Sequence, residues 1–307
     1  MLFIIYSNDI PHSLEKSKCI LFADDTTVYI SGQSRDVLYS DMKSDLDNLI
    51  EWFRANKLSL NIQKTDYVLF RPTEKMKMID DADSDDYNLI FGNDKLEQKD
   101  EFKFLGITID KRMNWSVHCK KLCSKLASSL YLFRNAKNVL PTHIMKTLYY
   151  SLFYSHLQYG ALLWGSSCYK EDLNRICKLQ KKAIRLVNNS SFNAHTEPIF
   201  KKLSILNVNH VIELEQAKYM YNFKNNLLPS KLTQFLKRGS EIHQYNTRYN
   251  YEPERIKSNF APLSSTFLSK SPNTWKNVKT EYKEIKNLGA FTSNIKKDMI
   301  NAYNDHV

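Results

Sequence analysis

Residues 20–30 read Ile-Leu-Phe-Ala-Asp-Asp-Thr-Thr-Val-Tyr-Ile, which sets two adjacent carboxylates, Asp24 and Asp25, between two β-forming runs. Asp-Asp favours a turn, while its β-branched and aromatic flanks favour strands, so the pair is expected at the tip of a hairpin. No basic residue lies nearby in the sequence to neutralise it. Two like charges held this close either keep one carboxylate protonated or recruit a divalent cation. Mg²⁺ is typically held by one or two carboxylates together with substrate phosphates. Taken alone, the dipeptide reads as an ordinary Asp-Asp turn; the context changes that reading.

About forty residues later comes Asn56-Lys57-Leu58-Ser59-Leu60-Asn61-Ile62-Gln63-Lys64-Thr65, and about forty after that Phe102-Lys103-Phe104-Leu105-Gly106-Ile107-Thr108-Ile109-Asp110. In order and spacing these segments resemble the reverse transcriptase of non-LTR (LINE-type, jockey-like) retrotransposons. The resemblance runs at lower specificity through most of the remaining chain, including Thr196-Glu197-Pro198-Ile199-Phe200, Asn246-Thr247-Arg248 and the segment from Trp275. It implies an RNA-directed DNA polymerase whose Asp24 and Asp25 bind catalytic Mg²⁺, with Mn²⁺ as substitute. Of the two, Asp24 is the expected direct ligand. Lys64 falls at a family lysine position that neutralises or protonates the leaving group. Leu105 and Gly106 would set a primer-grip hairpin against the primer end, glycine allowing close backbone approach. A surface lysine and a plain tight turn are the alternative readings of these last two features.

One departure matters more than any match. In the family, the metals are held jointly by this hairpin and by an aspartate on an earlier strand, and a glycine-glutamine helix contacts the incoming nucleotide. Met1–Pro11 looks like the end of that intermediate helix, and Asp9 falls where the family simply ends a helix, so it is no stand-in. The expectation is a C-terminal part of a polymerase, catalytically incomplete alone, with fingers, front palm and any endonuclease further upstream. The alternative is a palm-thumb remnant that binds nucleic acid without copying it. The expected partners are an RNA template and a DNA primer, with dNTP once the missing half is supplied. By resemblance the chain is intracellular, nuclear and cytoplasmic.

The expected fold class is α+β. A partial palm spans residues 1–112, a helical thumb 113–190, and a helical C-terminal extension 191–307 with an irregular linker over 238–287. Within the palm, Ser34 is placed to cap a helix with apolar residues Leu38, Met42, Leu46, Leu49, Ile50 and Phe53. Its solvent face would carry Asp41, Lys43, Asp45, Asp47 and Glu51. A strand over Tyr67–Phe70 would complete a β-α-β order. The acidic stretch Asp80, Asp81, Asp83, Asp85 and Asp86 fails the calcium-loop template, having Asp86 and Gly92 where glycine and glutamate are required. Helical periodicity takes over after Asn114, at roughly 115–138, 142–164, 170–189, 208–226 and 288–304.

Charge divides the 307 residues unevenly. Residues 1–110 hold 13 Lys and Arg against 21 Asp and Glu, leaving 31 against 12 for residues 111–307. Such an excess supports sequence-independent attraction to phosphates; an acidic membrane surface is the rival partner. In the third helix Lys178, Lys181, Lys182 and Arg185 recur at i, i+3, i+4 and i+7. They form either a solvated lysine face or a rail for the phosphates of a primer–template duplex. Five scattered cysteines suggest a reducing compartment rather than a disulfide framework. His118, Cys119 and Cys123 are half a zinc site with no second pair to complete it. The run Leu2–Ile5 is too short for a signal peptide, and the uncharged stretch 147–169 is interrupted by Ser151, Ser155, His156 and Gln158. Leu148, Leu152, Tyr159, Leu162 and Leu163 instead suggest a buried, partly polar helix rather than a membrane span.

Overall fold

The runs on either side of the Asp pair form strands, β1 (Lys18–Phe22) and β2 (Asp25–Tyr29), paired antiparallel with Phe22 opposite Asp25. Ala23 and Asp24 are therefore the two turn residues. The computed structural model describes residues 5–70, 87–236 and 266–303, in two units, Met1–Phe102 and Lys103–Val307. The acidic stretch 80–86 lies outside the described residues. The architecture is mixed α+β and mostly helical, with small two-stranded sheets in the first third of the chain.

In the first unit Cys19, Leu21 and Val28 pack against an apolar cluster of Ile10, Tyr39, Leu46, Leu49, Leu89 and Leu96. Helix α1 (Arg35–Ala55) starts after Ser34 as expected, although the Ser34 side chain makes no capping bond. Asp45, assigned to the solvent face by periodicity, is fully buried. Its carboxylate accepts backbone N–H groups from Glu15 (2.9 Å), Lys16 (3.1 Å) and Ser17 (2.5 Å), so hydrogen bonding compensates its burial.

The expected strand at Tyr67–Phe70 shrinks to β3 (Asp66–Tyr67). Further on are β4 (Ile90–Phe91), β5 (Asp94–Lys95) and β6 (Glu97–Gln98). β3 pairs in parallel with β6 and not with the Asp hairpin, so no single β-α-β sheet forms among the described residues. The reason is local. β6 is bounded by Leu96, whose amide bonds the Leu89 carbonyl, and by Lys99, whose amide bonds Tyr67 and whose ammonium pairs with Asp66 at 2.5 Å.

The hairpin β7 (Glu101–Phe104) and β8 (Ile107–Asp110) leads into the second unit. Asp110 accepts the amides of Arg112 (3.0 Å) and Trp115 (3.2 Å), fixing the turn into α2 (Ser116–Ala136). The expected helix over 142–164 is broken into α3 (Thr142–Tyr149), a π-helical turn (Tyr150–Tyr154), α4 (Ser155–Gln158) and α5 (Ala161–Ser167). The break is set by Gly160, at φ +64°, where an added Cβ would lie 2.4 Å from Ile107 Cδ1. Its buried residues are Met145, Tyr149, Phe153, Leu157, Ala161 and Trp164, whereas Tyr159, expected inside, is 54% exposed. No helix among the described residues is long and apolar enough to cross a membrane.

Helices α6 (Lys170–Val187), α7 (Thr196–Leu203) and α8 (Val208–Lys224) follow, then a short α9 (Ser230–Thr233). In α6, Ile176, Ala183, Ile184 and Val187 are buried. Gln180 joins them: it donates to the Tyr149 hydroxyl and the Leu206 carbonyl and accepts the Val208 amide, each at 2.9 Å. Residues 238–287 are not irregular throughout. Helices α10 (Phe267–Asn277) and α11 (Thr280–Lys283) fall within them, ahead of α12 (Leu288–Asn301). α10 seats Trp275, Ser269 and Ser271 in the core, with small polar residues where apolar periodicity would have been the signal.

Candidate metal hairpin and nucleic-acid interface

The Ala23–Asp24 turn, with Asp25 opening β2 one residue past the tip, is the chemically distinctive point of the first unit. Ala23 takes φ +54°, a left-handed conformation that costs a non-glycine residue about 1 kcal/mol or more. Such two-residue turns match the twist of their strands when φ is positive at the first position. Both carboxylates are exposed, and neither forms an ion pair among the described residues. The outer face of the hairpin also exposes Ile20, Phe22 and Tyr29. Two free carboxylates at one turn fit what Mg²⁺ takes from protein when phosphates and water complete its shell. They do not make a closed site: no group of three or more His, Cys, Asp or Glu able to hold a metal occurs among the described residues.

Lys64 ends a 3₁₀ turn, Ile62–Lys64, that the Thr65 hydroxyl steadies by bonding the Asn61 carbonyl at 2.9 Å. The ammonium is exposed and pairs with neither aspartate. Leu105 and Gly106 are the two turn residues of the β7–β8 hairpin, at φ +45° and +85°. The Tyr159 hydroxyl donates to the Leu105 carbonyl, and the Tyr159 ring lies 3.4 Å from where a Gly106 Cβ would be. The requirement for glycine there is thus the backbone angle, and the flank of the turn is covered by a tyrosine that sequence reading placed in the core.

On α6 the basic stripe keeps its spacing, but its members differ. Lys178, Lys181 and Lys182 are exposed and unpaired among the described residues. Arg185 is half-buried, and its Nε donates to the Ala194 carbonyl at 2.8 Å. It anchors the turn that carries Phe192, itself 76% exposed. Phe192 thus leaves an aromatic ring exposed beside the stripe, a feature no periodicity announces. Beside Lys181 a cleft of about 540 Å³ is lined by Gln180, His195, Thr196, Glu197, Asn207 and neighbouring residues.

The half-site of cysteines takes a structural form. Cys119 is buried, and the His118 imidazole accepts the Thr108 amide at 3.3 Å through Nδ1. Burial, with Lys125 and Lys121 nearby, pushes the His118 pKa down to about 4, which keeps the ring neutral.

The sequence model of the reverse transcriptase (RNA-dependent DNA polymerase) family covers residues 1–109, the span that contains the Asp pair, Lys64 and the Leu105–Gly106 turn. Residues 1–109 match the reverse transcriptase family. Beyond that segment, similarity to non-LTR retrotransposon polymerases extends over most of the chain. A probable RNA-directed DNA polymerase from transposon BS of Drosophila melanogaster is 23% identical over 78% of this chain and 27% of its own length. A probable polymerase from the X-element of the same fly is 22% identical over 71% and 24%. The RNA-directed DNA polymerase from mobile element jockey is 23% identical over 75% and 25%. The chain thus spans about a quarter of the length of the curated relatives it matches. No solved structure matches it. The reverse transcriptase segment closes almost where the second unit begins, so the helical surface is related to these polymerases through the pairwise similarities alone.

Proposed function

We propose that the chain is part of an RNA-directed DNA polymerase of a non-LTR retrotransposon. Asp24 and Asp25 form one carboxylate arm of its metal site, and the basic helical unit holds the RNA template and DNA primer. The observation that carries this reading is the unpaired, exposed Asp pair on a strained two-residue turn, inside the segment that matches the reverse transcriptase family. Mg²⁺ held there would align the primer 3′-hydroxyl with the α-phosphate of dNTP and neutralise charge on the departing pyrophosphate. Lys64 is the cation for that leaving group, and the Leu105–Gly106 turn positions the primer end. With no third metal-binding group beside the pair among the described residues, these 307 residues are proposed not to polymerise by themselves.

Half a ligand set binds metal weakly. Millimolar Mn²⁺ should broaden the NMR signals of residues 22–27, and Asp24→Asn should remove the effect. Broadening elsewhere, or none, would count against the metal arm.

The basic surface has its own test. Neutralising phosphates releases counterions, so affinity for duplex or single strands should fall linearly on a log–log salt plot, with little sequence preference. Changing Lys178, Lys181 and Lys182 together to Ala should make that slope shallower by about 2 to 3, at roughly 0.7–0.9 per lost contact. Arg185→Ala is expected to loosen the Phe192 turn as well. An unchanged slope in the triple variant would move the interface off α6, and preference for anionic vesicles would favour a membrane surface.

A further inference from the structure

A second cationic site lies away from α6, where the π-helical turn meets the last helix. Lys296 of α12 places its ammonium 5.7 Å from the centre of the Tyr150 ring. Tyr150 lies one turn beyond Lys146 of α3 and packs edge-to-face on Tyr154, with ring centres 5.1 Å apart. The π turn is itself a signal, since i→i+5 bonding is rare and concentrates at functional sites. Lys296 is half-buried, and burial, with the charge of Lys146 added to it, holds its ammonium below the usual lysine range. Neither lysine has a carboxylate partner among the described residues. The acidic group felt by Tyr154, Glu215, is already held by Lys218 at 2.9 and 3.0 Å and by Gln158 at 2.9 Å.

We infer that Lys146 and Lys296, set about the Tyr150 ring, bind one phosphate of a polynucleotide strand. This rests on the nucleic-acid reading of the helical unit and extends it from α6 to α3 and α12. Lys296 lies against the Tyr150 ring and Lys146 stands one turn before it, so a single phosphodiester reached by both would supply the anion that each ammonium lacks. A polynucleotide suits the surface better than a lipid headgroup. The exposed neighbours on this segment are His143, Thr147, Ser151, Ser155 and His156, with Ile144 the one exposed aliphatic side chain and Leu148 and Leu152 packed against the core, whereas membrane docking needs a broad apolar face.

The test uses the full chain and reads each lysine separately. Lysines are acetylated with an N-hydroxysuccinimide ester and quantified by mass spectrometry, alone, with single-stranded oligo(dT), and with vesicles containing phosphatidylserine. Labelling of Lys146 and Lys296 should fall severalfold with oligo(dT) and not with vesicles. The K146Q/K296Q double variant should make the oligo(dT) log–log salt slope shallower by about 0.7, as expected for one lost single-strand phosphate contact. If the wild-type chain binds oligo(dT) but both lysines stay fully labelled and the slope is unchanged, this site is wrong while the nucleic-acid reading stands. Protection by vesicles alone would overturn it in favour of a lipid surface. No binding of oligo(dT) at low salt would overturn both.

Discussion

Asp45→Ala is expected to destabilise the first unit by about 3 kcal/mol, because it strips the acceptor from three backbone donors. The amides of Glu15, Lys16 and Ser17 all point at this one carboxylate. They tie the segment entering β1 to the middle of α1, so the loss should spread to the hairpin that carries Asp24. Burial alone would raise the Asp45 pKa. The Ser17 hydroxyl and the three amides outweigh it and leave the carboxyl below the usual range near 3.8. A lowered folded-state pKa means the stabilisation is fully present above the unfolded value and is lost as pH falls through the folded one. Amide hydrogen exchange over residues 15–30 should therefore accelerate in the variant at neutral pH. The gap to wild type should begin to narrow as pH falls below about 3.8 and shrink further as the native carboxylate protonates at its lower folded-state pKa. A change under about 0.5 kcal/mol at pH 7 would show that the buried carboxylate is dispensable.

Asp45 also marks where the sequence stops being legible. Its place among polar residues of an amphipathic helix gave no sign of burial, since its partners lie 28 to 30 residues away and are backbone groups, identical for any sequence. The Asp24–Asp25 hairpin could be read because its code is local: strand formers on both sides and turn formers between. The same holds for α1, α2 and α6, whose buried residues recur every three or four positions. α10 escaped because its packed face is built from Ser269, Ser271 and Trp275 rather than a repeating apolar set. The break at Gly160 depends on Ile107, more than fifty residues earlier, occupying the space a side chain would need. Arg185 was legible as a cation but not as an anchor, because its partner is the backbone carbonyl of Ala194. Pattern reading finds which residues share a face. It does not find which backbone groups a buried polar side chain will be asked to satisfy.

Primer extension checks whether Asp24 works in the metal site of a polymerase, as proposed. The assay supplies an RNA template, a DNA primer, dNTPs and Mg²⁺ to the chain alone and to a chimera carrying the fingers and front palm of the jockey polymerase. Removing one side of a metal clamp forfeits several kcal/mol of transition-state stabilisation, so Asp24→Ala should slow the chimera by about 10³-fold or more. Synthesis is expected from the chimera, with its loss on Asp24→Ala, and no extension from the 307 residues alone. Extension by the bare chain that vanishes on Asp24→Ala would contradict its incompleteness, and a chimera that extends equally well with alanine at position 24 would contradict the metal site itself.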